Sequence, residues 1–277
     1  RKRGTGRGRG VRWLSHYSSG QSILIVGDGD FSFSLALAAA FGTGRNIVAT
    51  SLDSYEALSR KYIKAQSNLM RLKRMHATVL HGIDANTMKG HTDLKMRLFD
   101  RIVFNFSHAG FSGRECEMHV IRSHRELVRG FFGNARELLQ PYGEIHISNK
   151  TGHPYDRWDI EQLASESSLA MIDIVSFQKQ DYPGYNPKRG SGAKRFSCNG
   201  EEGREGGQVA QALLLRAEHS HRRRRRLLLL PCARHRLRLR RQPRRHVPRL
   251  IRGVDLQASP SRIKRKRAEE NGGHSFA

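Results

Sequence analysis

A loop rich in glycine and aspartate is the segment of this 277-residue chain best suited to hold a ligand. It follows the apolar run Ile23–Val26 and consists of Gly27, Asp28, Gly29, Asp30, Phe31 and Ser32. The glycines allow a tight turn and a close approach of backbone to ligand where the next helix begins. Two carboxylates would repel a dinucleotide pyrophosphate, and Ser32 replaces the third glycine of the dinucleotide pattern. They suit an ammonium or sulfonium group, and S-adenosylmethionine carries both. Alternatively, Asp28 or Asp30 only caps the helix.

Two further aspartates follow the next two apolar runs. Asp53 comes directly after Asn46–Leu52, where an acidic side chain can accept hydrogen bonds from both ribose hydroxyls. Asp84 follows Ala77–His81 and is suited to accept a hydrogen bond from an adenine amino group. Both are therefore predicted to bind the cofactor. The alternatives are that Asp53 caps the helix starting near Tyr55 and that Asp84 is an ordinary loop residue.

Polar and aromatic residues follow the fourth apolar run, Asp100–Phe106. We expect Asn105 to orient an acceptor base, Phe106 to stack on it, and His108 to take up a proton near neutral pH. Asn105 and His108 are the candidate catalytic residues. The competing interpretation of His108 is that it holds the local structure together.

Several classes of protein and site are not predicted. Cys116, His119 and His124 lie within a helical pattern, and a spacing of five directs the two histidines to different faces, so we expect no metal site. The three cysteines are too few and too widely spaced for a disulfide scaffold, which favours a reducing compartment. No apolar run approaches the roughly 18–20 residues that span a bilayer, and no secretory signal opens the chain. The oligomeric state is not predicted.

The elements that position these residues alternate along the chain. Helices are predicted at 31–41, 55–75, 117–139 and 155–169, between apolar strands at 22–27, 46–52, 77–81, 100–106, 143–148 and 171–177. This pattern predicts a doubly wound α/β domain over residues 21–199, with a mostly parallel sheet covered on both faces. Ligands bind such sheets at the carboxyl ends of the strands, where the candidate residues lie.

The charge of the chain is concentrated at its two ends. The formal net charge is +25, yet residues 21–199 carry only +5 of it. Residues 1–20, with six basic and no acidic side chains, are predicted to be a disordered basic arm. Residues 200–277, with 21 basic and seven acidic side chains, are predicted to be a disordered, arginine-rich, low-complexity tail. The tail is either a genuine RNA-binding segment or the product of a wrong reading frame. The clusters Arg1–Arg3 and Lys264–Arg267 fit a nuclear address.

Several motifs together resemble the eukaryotic 25S/28S-type rRNA uridine-N3 methyltransferase family. They are ILIVGDGDFSFSLALA, VATSLDS, FNFSHAG, NKTG with Trp158 behind it, and YPGY with KRG, and together they span residues 21–192. The resemblance implies a Rossmann-like class I methyltransferase fold, the cofactor S-adenosylmethionine, an rRNA substrate and a nucleolar location. The family's cofactor motif corresponds to Gly27–Ser32, and its acidic strand end to Asp53.

This chain departs from the family pattern at two points. Ser107 stands where the family usually has proline, and the segment after Gly190 does not continue into the family's last strand. We therefore expect the last strand to be missing. The favoured function is methylation of uridine N3 in large-subunit rRNA. Its rivals are a nucleotide-dependent oxidoreductase, which the loop aspartates oppose, and a non-catalytic basic RNA-binding protein with a degenerate methyltransferase core.

Overall fold

The computed structural model describes residues 10–110, 113–189, 192–195 and 209–218. All of them lie in one unit, residues 1–227. The strands are β1 (Trp13–Leu14), β2 (Tyr17–Ser18), β3 (Ile23–Val26), β4 (Ile47–Ser51), β5 (Thr78–His81), β6 (Phe99–Asn105), β7 (Leu139–Lys150), β8 (Leu169–Ser176), β9 (Lys188–Arg189), β10 (Gly192–Arg195) and β11 (Ala210–Ala217). The helices are α1 (Ser32–Phe41), α2 (Tyr55–Lys61), α3 (Ala65–Arg74), α4 (Met118–Glu137) and α5 (Ile160–Glu166), with short 3-10 turns at Met88–Gly90, Tyr155–Trp158 and Lys179–Asp181.

Seven strands form the central sheet, in the order β5-β4-β3-β6-β7-β11-β8. The five strands from β5 to β7 run parallel, and β11 runs antiparallel to both of its neighbours. The chain winds outward from β3 in one direction and from β6 in the other, so the strand order reverses between these two strands. The predicted doubly wound, mostly parallel α/β fold is confirmed.

Each face of the sheet is covered by helices because the inner strands are apolar on both sides. On one face, Ile23, Ile25 and Val103 pack with the buried side chains of α1, α2 and α3. On the other, Leu24 and Ile102 pack with those of α4 and α5. Within the described residues, no helix is long and apolar enough to cross a membrane.

The predicted helix over residues 55–75 is two helices in the structure. The backbone leaves the helical conformation at Tyr62, and α3 begins at Ala65. The spacing that suggested a single helix still identified the packed face, since Leu58, Tyr62, Ala65, Leu69 and Leu72 are all buried. The predicted helix over 155–169 is likewise shorter and consists of a 3-10 turn followed by α5.

The domain boundaries predicted from composition are wrong at both ends. Strand β11 lies beyond residue 199, inside the predicted tail, and it fills the place of the strand expected to be missing. Leu213, Leu214 and Leu215 are buried because β11 is paired on both edges and covered on both faces. The hairpin of β1 and β2 likewise falls inside the predicted N-terminal arm. The remaining predictions for residues 1–9, 200–208 and 219–277 concern segments outside the described residues.

Candidate active site

The reversal of strand order brings two of the predicted motifs side by side. Val26, at the end of β3, pairs with Phe104 on β6. The glycine-rich loop and Asn105 therefore leave neighbouring parallel strands at the same edge of the sheet. Doubly wound folds bind their ligands at this kind of reversal.

The backbone of the glycine-rich loop is tightly folded. Gly27 has a φ of +63°, and a Cβ at this position would lie 3.0 Å from the Phe104 ring. Phe31 is also left-handed, with a φ of 61°, and α1 begins at the next residue. A Cβ on Gly29 would lie 3.6 Å from Lys188 Cβ and 3.8 Å from the Tyr62 hydroxyl. Side chains from distant parts of the chain therefore lie over this loop.

Asp28 stabilises the start of α1. Its Oδ2 accepts hydrogen bonds from the Ser34 backbone N–H at 2.8 Å and from the Ser34 hydroxyl at 2.5 Å. Ser34 lies in the first turn of the helix, whose N–H groups lack partners within the helix. The capping role that the sequence left open is thus present for Asp28. Burial raises the pKa of Asp28 to about 6, although the bonds from Ser34 act in the opposite direction.

Asp28→Asn is expected to stabilise the fold at pH 8 and not at pH 4. A carboxyl whose pKa is raised on folding favours the folded state at low pH, and this contribution is lost as the pH rises from about 4 to about 6. Asparagine keeps an acceptor for Ser34 without the cost of a buried charge, so the gain at pH 8 is up to about 3 kcal/mol. Denaturant unfolding at both pH values measures it, with Asp93→Asn, an exposed site, as the control. An equal change in stability at both pH values would show that the buried charge of Asp28 is not responsible.

Asp30 keeps one carboxylate oxygen for another group. Its Oδ1 accepts from the Ser32 backbone N–H at 3.1 Å, so Asp30 also contributes to the helix start. Its Oδ2 is buried without a hydrogen-bond partner in the described part of the chain and lies 3.8 Å from Lys188 Nζ. A buried acceptor without a hydrogen bond is costly. Asp30 is therefore the loop side chain best suited to accept a hydrogen bond from a ligand.

Asp53 forms an ion pair and does not cap α2. The cap is Ser54, whose hydroxyl accepts from the Ala57 N–H at 3.2 Å. One oxygen of Asp53 lies 2.5 Å from Lys61 Nζ, and a quarter of its side chain is exposed to solvent. A ligand that used this carboxylate would compete with Lys61 for it.

Asp84 stabilises its own loop and borders a cavity. Its Oδ1 accepts from the Asn86 backbone N–H at 2.8 Å, the ordinary loop role that the sequence left open. The cavity beside it has a volume of about 370 Å³ and is lined by Gly82, Ile83, Asp84, Thr87, Met88 and His91, among others. The geometry is compatible with either role for Asp84.

The side-chain amide of Asn105 is hydrogen-bonded through its oxygen but, within the described residues, not through its nitrogen. Its Oδ1 accepts from the Ser148 hydroxyl at 2.8 Å. Its Nδ2 is buried and has no hydrogen-bond partner among the described residues. The next residue, Phe106, has a φ of 52°, and its N–H donates to the Ser148 carbonyl at 2.9 Å. Neighbouring strand β7 thus fixes the amide and its loop, and the donor Nδ2 remains for a ligand.

His108 lies in a cluster with Glu115 and His124. Its Nε2 is 2.8 Å from Glu115 Oε1, and its Nδ1 accepts from the Gly110 N–H at 3.1 Å. Accepting a proton from a substrate requires that Nδ1 give up its hydrogen bond from the Gly110 N–H. The structure thus also contains the competing arrangement, in which His108 holds local structure. The predicted roles of Asn105 and His108 stay predictions.

Sequence reasoning missed several side chains of this region. Lys61 pairs with Asp53, Lys188 lies near Asp30, and Glu115 joins two histidines. Of these, only Lys188 lies in a motif noted in the sequence, the segment Tyr182–Gly190 that contains YPGY and KRG. Its tyrosines are buried against Phe33, at ring-centroid distances of 5.0 and 5.2 Å, so they belong to the core.

Comparison with known proteins identifies the family. Residues 24–189 match the family described as rRNA (uridine-N3-)-methyltransferase BTM5-like, or BMT5-like. The chain belongs to this family. The resemblance seen in the motifs and the predicted Rossmann-like methyltransferase fold are confirmed.

Individual relatives of this BMT5-like chain differ in length. Heavy metal-associated isoprenylated plant protein 41 of Arabidopsis thaliana is 54% identical over 182 residues, which are 66% of this chain and 35% of that protein. The chain therefore spans about a third of the length of this relative. The 25S rRNA (uridine(2634)-N(3))-methyltransferase of Saccharomyces cerevisiae is 26% identical over 226 residues, covering 62% of this chain and 67% of the yeast protein. The crystal structure of NSun6 from Pyrococcus horikoshii with SFG aligns with a TM-score of 0.48 and 15% identity, covering 72% of this chain and 48% of that one.

Proposed function

We propose that this BMT5-like chain is an S-adenosylmethionine-dependent rRNA methyltransferase and that its target is N3 of a uridine. Family membership supports methyl transfer to rRNA, and the similarity to the yeast enzyme supports uridine N3. The observation that carries the proposal is that two buried polar atoms at the strand-order reversal have no hydrogen-bond partner among the described residues. One is the acceptor Asp30 Oδ2, and the other is the donor Asn105 Nδ2.

The glycine-rich loop and Asp53 offer hydrogen-bond acceptors that suit the proposed cofactor. The buried Asp30 Oδ2 suits the ammonium group of the methionyl part, and Asp53 suits the two ribose hydroxyls. The tight turn at Gly27 lets the ligand approach the backbone closely. The bound cofactor supplies a methyl group already activated by its sulfonium. The protein then has to exclude water, orient the base and accommodate the proton that leaves N3.

Asn105 is proposed to orient the uracil. The uracil edge presents an N3–H between two carbonyl oxygens, and Asn105 Nδ2 can donate to one of them. Because Ser148 holds the other side of the amide, the donor is fixed before the base arrives. Orientation of this kind is a large part of catalysis when the transferred group is already activated.

The N3 proton has to leave as the N3–methyl bond forms. We keep the prediction that His108 takes it, which requires that His108 Nδ1 give up the hydrogen bond it accepts from the Gly110 N–H. Solvent is the other acceptor. Loss of the proton to solvent predicts that transfer rises with pH toward the pKa of the uridine, with no inflection from a histidine.

An exposed basic surface supports an RNA partner. Residues 57–83 contain six basic and no acidic side chains. Lys64, Arg71, Lys73 and Arg74 are exposed on and beside α3, and none of them forms an ion pair within the described residues. Lys64 and Arg71 also line a groove of about 390 Å³ between α1 and α3. Unpaired cations along a groove suit the phosphates of RNA. The basic segments 1–9 and 219–277, which lie outside the described residues, would add to this attraction.

Asp53→Ala is expected to weaken S-adenosylmethionine binding by about 1–3 kcal/mol, because two ribose hydroxyls lose a charged acceptor. Isothermal titration calorimetry measures the change. Lys61→Ala is the matched control: it removes the same ion pair but leaves the carboxylate, so affinity is expected to stay equal or to rise. Equal weakening by both variants would mean that the ion pair, and not the ribose contact, matters.

The same titration tests the proposed function against its rivals. A methyltransferase binds S-adenosylmethionine, an oxidoreductase binds a dinucleotide, and a degenerate core that only binds RNA takes up neither.

We also propose a nuclear and nucleolar location from the basic clusters at the two ends of the chain. A tagged full-length protein that stays wholly in the cytoplasm would contradict it.

A further inference from the structure

We propose that His108, Glu115 and His124 form a hydrogen-bonded lock that fixes the loop after β6, and that this lock excludes a metal ion. The three side chains offer ligand atoms within 4.8 Å of one another, an arrangement that on distance alone suits a metal. The hydrogen bonds at Nδ1 of each histidine ring decide whether the cluster is a lock or a metal site.

Glu115 is the centre of the cluster, and it uses both carboxylate oxygens. Oε1 lies 2.8 Å from His108 Nε2, and Oε2 lies 3.2 Å from His124 Nε2. A carboxylate only accepts hydrogen bonds. Both rings therefore present an Nε2–H to Glu115.

The backbone of the loop confirms this tautomer from the other side. The Ala109 N–H donates to His124 Nδ1, and the Gly110 N–H donates to His108 Nδ1, each at 3.1 Å. An Nδ1 that accepts a hydrogen bond carries no proton. Each ring is thus neutral, with its single proton on Nε2, and each links Glu115 to a backbone N–H of the loop.

The same bonds oppose a metal. A histidine that binds a metal through Nε2 carries its proton on Nδ1 and donates it to an acceptor. Here both Nδ1 atoms accept hydrogen bonds from backbone N–H groups. A metal at Nε2 would therefore place a protonated Nδ1 opposite a backbone N–H at each of the two histidines. Metal binding would require the loop to rebuild.

The surroundings of His124 favour its neutral form. Its ring is buried and stacks on Trp158, with centroids 4.2 Å apart at 27°. Burial first, and then the nearby His108, lower the pKa of His124, while Glu115 raises it. Arg125, one residue on in α4, donates at 2.8 Å to the Trp158 carbonyl and does not reach the cluster through a hydrogen bond or ion pair among the described residues.

The lock acts on the loop that carries Asn105. At one end, the Phe106 N–H is held by Ser148. At the other, Ala109 and Gly110 are held by His124 and His108, each of which contacts a different carboxylate oxygen of Glu115. His124 is a positioning residue in this arrangement, and so is His108 as long as its Nδ1 keeps the bond from Gly110. The catalytic consequence rests on the proposed function.

Histidine side-chain NMR tests the lock without any activity. In full-length protein with ¹⁵N-labelled histidine, assigned through His108→Gln and His124→Gln, we expect both rings to be neutral with the proton on Nε2 at pH 7.5. Adding zinc is expected to leave both sets of resonances unchanged. An Nδ1–H tautomer, or a stoichiometric zinc-induced shift, would overturn the proposal.

Glu115→Gln tests the catalytic consequence. Glutamine replaces one accepting oxygen with a donor, so one histidine must change tautomer and lose its backbone bond. We expect kcat to fall roughly tenfold or more, with the cofactor Kd and the RNA KM within about twofold of the parent. Glu126→Gln, an exposed site on α4, the helix that carries His124, is the control and should leave kcat, the cofactor Kd and the RNA KM unchanged. If kcat is unchanged in Glu115→Gln while NMR confirms the tautomers in the parent, the lock stabilises the loop but plays no part in methyl transfer. A parent without methyl transfer would contradict the proposed function and leave the NMR result to decide the lock.

Discussion

Asn105→Ala is expected to slow methyl transfer by about 100-fold without weakening S-adenosylmethionine binding. The variant removes the buried donor Nδ2, which has no hydrogen-bond partner within the described residues. Without it, a uracil in the site loses the group that orients its edge, and misplacement of about 1 Å is enough for a loss of this size. The cofactor contacts proposed for Asp30 and Asp53 come from the loops after β3 and β4 and are retained.

Single-turnover methylation of rRNA fragments with labelled cofactor measures this rate, alongside calorimetric cofactor binding. Ser148→Ala keeps the amide but removes the hydroxyl that fixes it, so its loss should be smaller, a few-fold. Asn46→Ala removes an asparagine remote from the reversal and should have no effect on the rate. A parent-like rate in Asn105→Ala would remove this residue from the site.

Ending the chain at residue 199 is expected to abolish folding, whereas ending it at residue 218 is expected to preserve it. The first truncation removes β11 from between β7 and β8 and leaves two strand edges unpaired in the sheet. It also loses the burial of Leu213, Leu214 and Leu215, worth roughly 1.5–3 kcal/mol each. This sum alone approaches the typical 5–15 kcal/mol stability of a domain.

Thermal unfolding followed by circular dichroism separates the two truncations. The chain ending at 218 should unfold cooperatively within a few degrees of the full chain, and the chain ending at 199 should show no cooperative transition. A second test keeps the length constant: Leu213→Asp should be strongly destabilising, and Arg216→Gln, at a half-buried position, mildly so. A chain ending at 199 that unfolds cooperatively at the parental temperature would show that β11 is dispensable.

The inner strands could be predicted from the sequence because they are buried on both faces and therefore continuously apolar. The break between α2 and α3 could not, since the buried positions keep helical spacing across it. Strand β11 was missed for a different reason. Its apolar run is short and stands close to an arginine-rich stretch, and composition averaged over that stretch hides a strand whose burial depends on its partners β7 and β8.

For the candidate site, the sequence indicated the loops but not the partners within them. Residues that end parallel strands must meet at one edge, so Gly27–Ser32 and Asn105 could be placed together in advance. The choice of partner by each polar group depends on how the loops and helices are arranged in three dimensions. Asp53 pairs with Lys61 across a helix, and His124 reaches the loop of His108 from α4. No spacing in the sequence predicts either contact.

Analysis of the methylated nucleoside tests the central claim most directly. The full chain is incubated with S-adenosylmethionine and unmodified large-subunit rRNA, and the RNA is digested to nucleosides for mass spectrometry. We predict N3-methyluridine, formed by the parent protein and reduced about 100-fold in rate by Asn105→Ala. A methyl group found only on another nucleoside would contradict the uridine-N3 assignment. Binding of RNA without any cofactor binding or methyl transfer would contradict the claim that the chain is a methyltransferase.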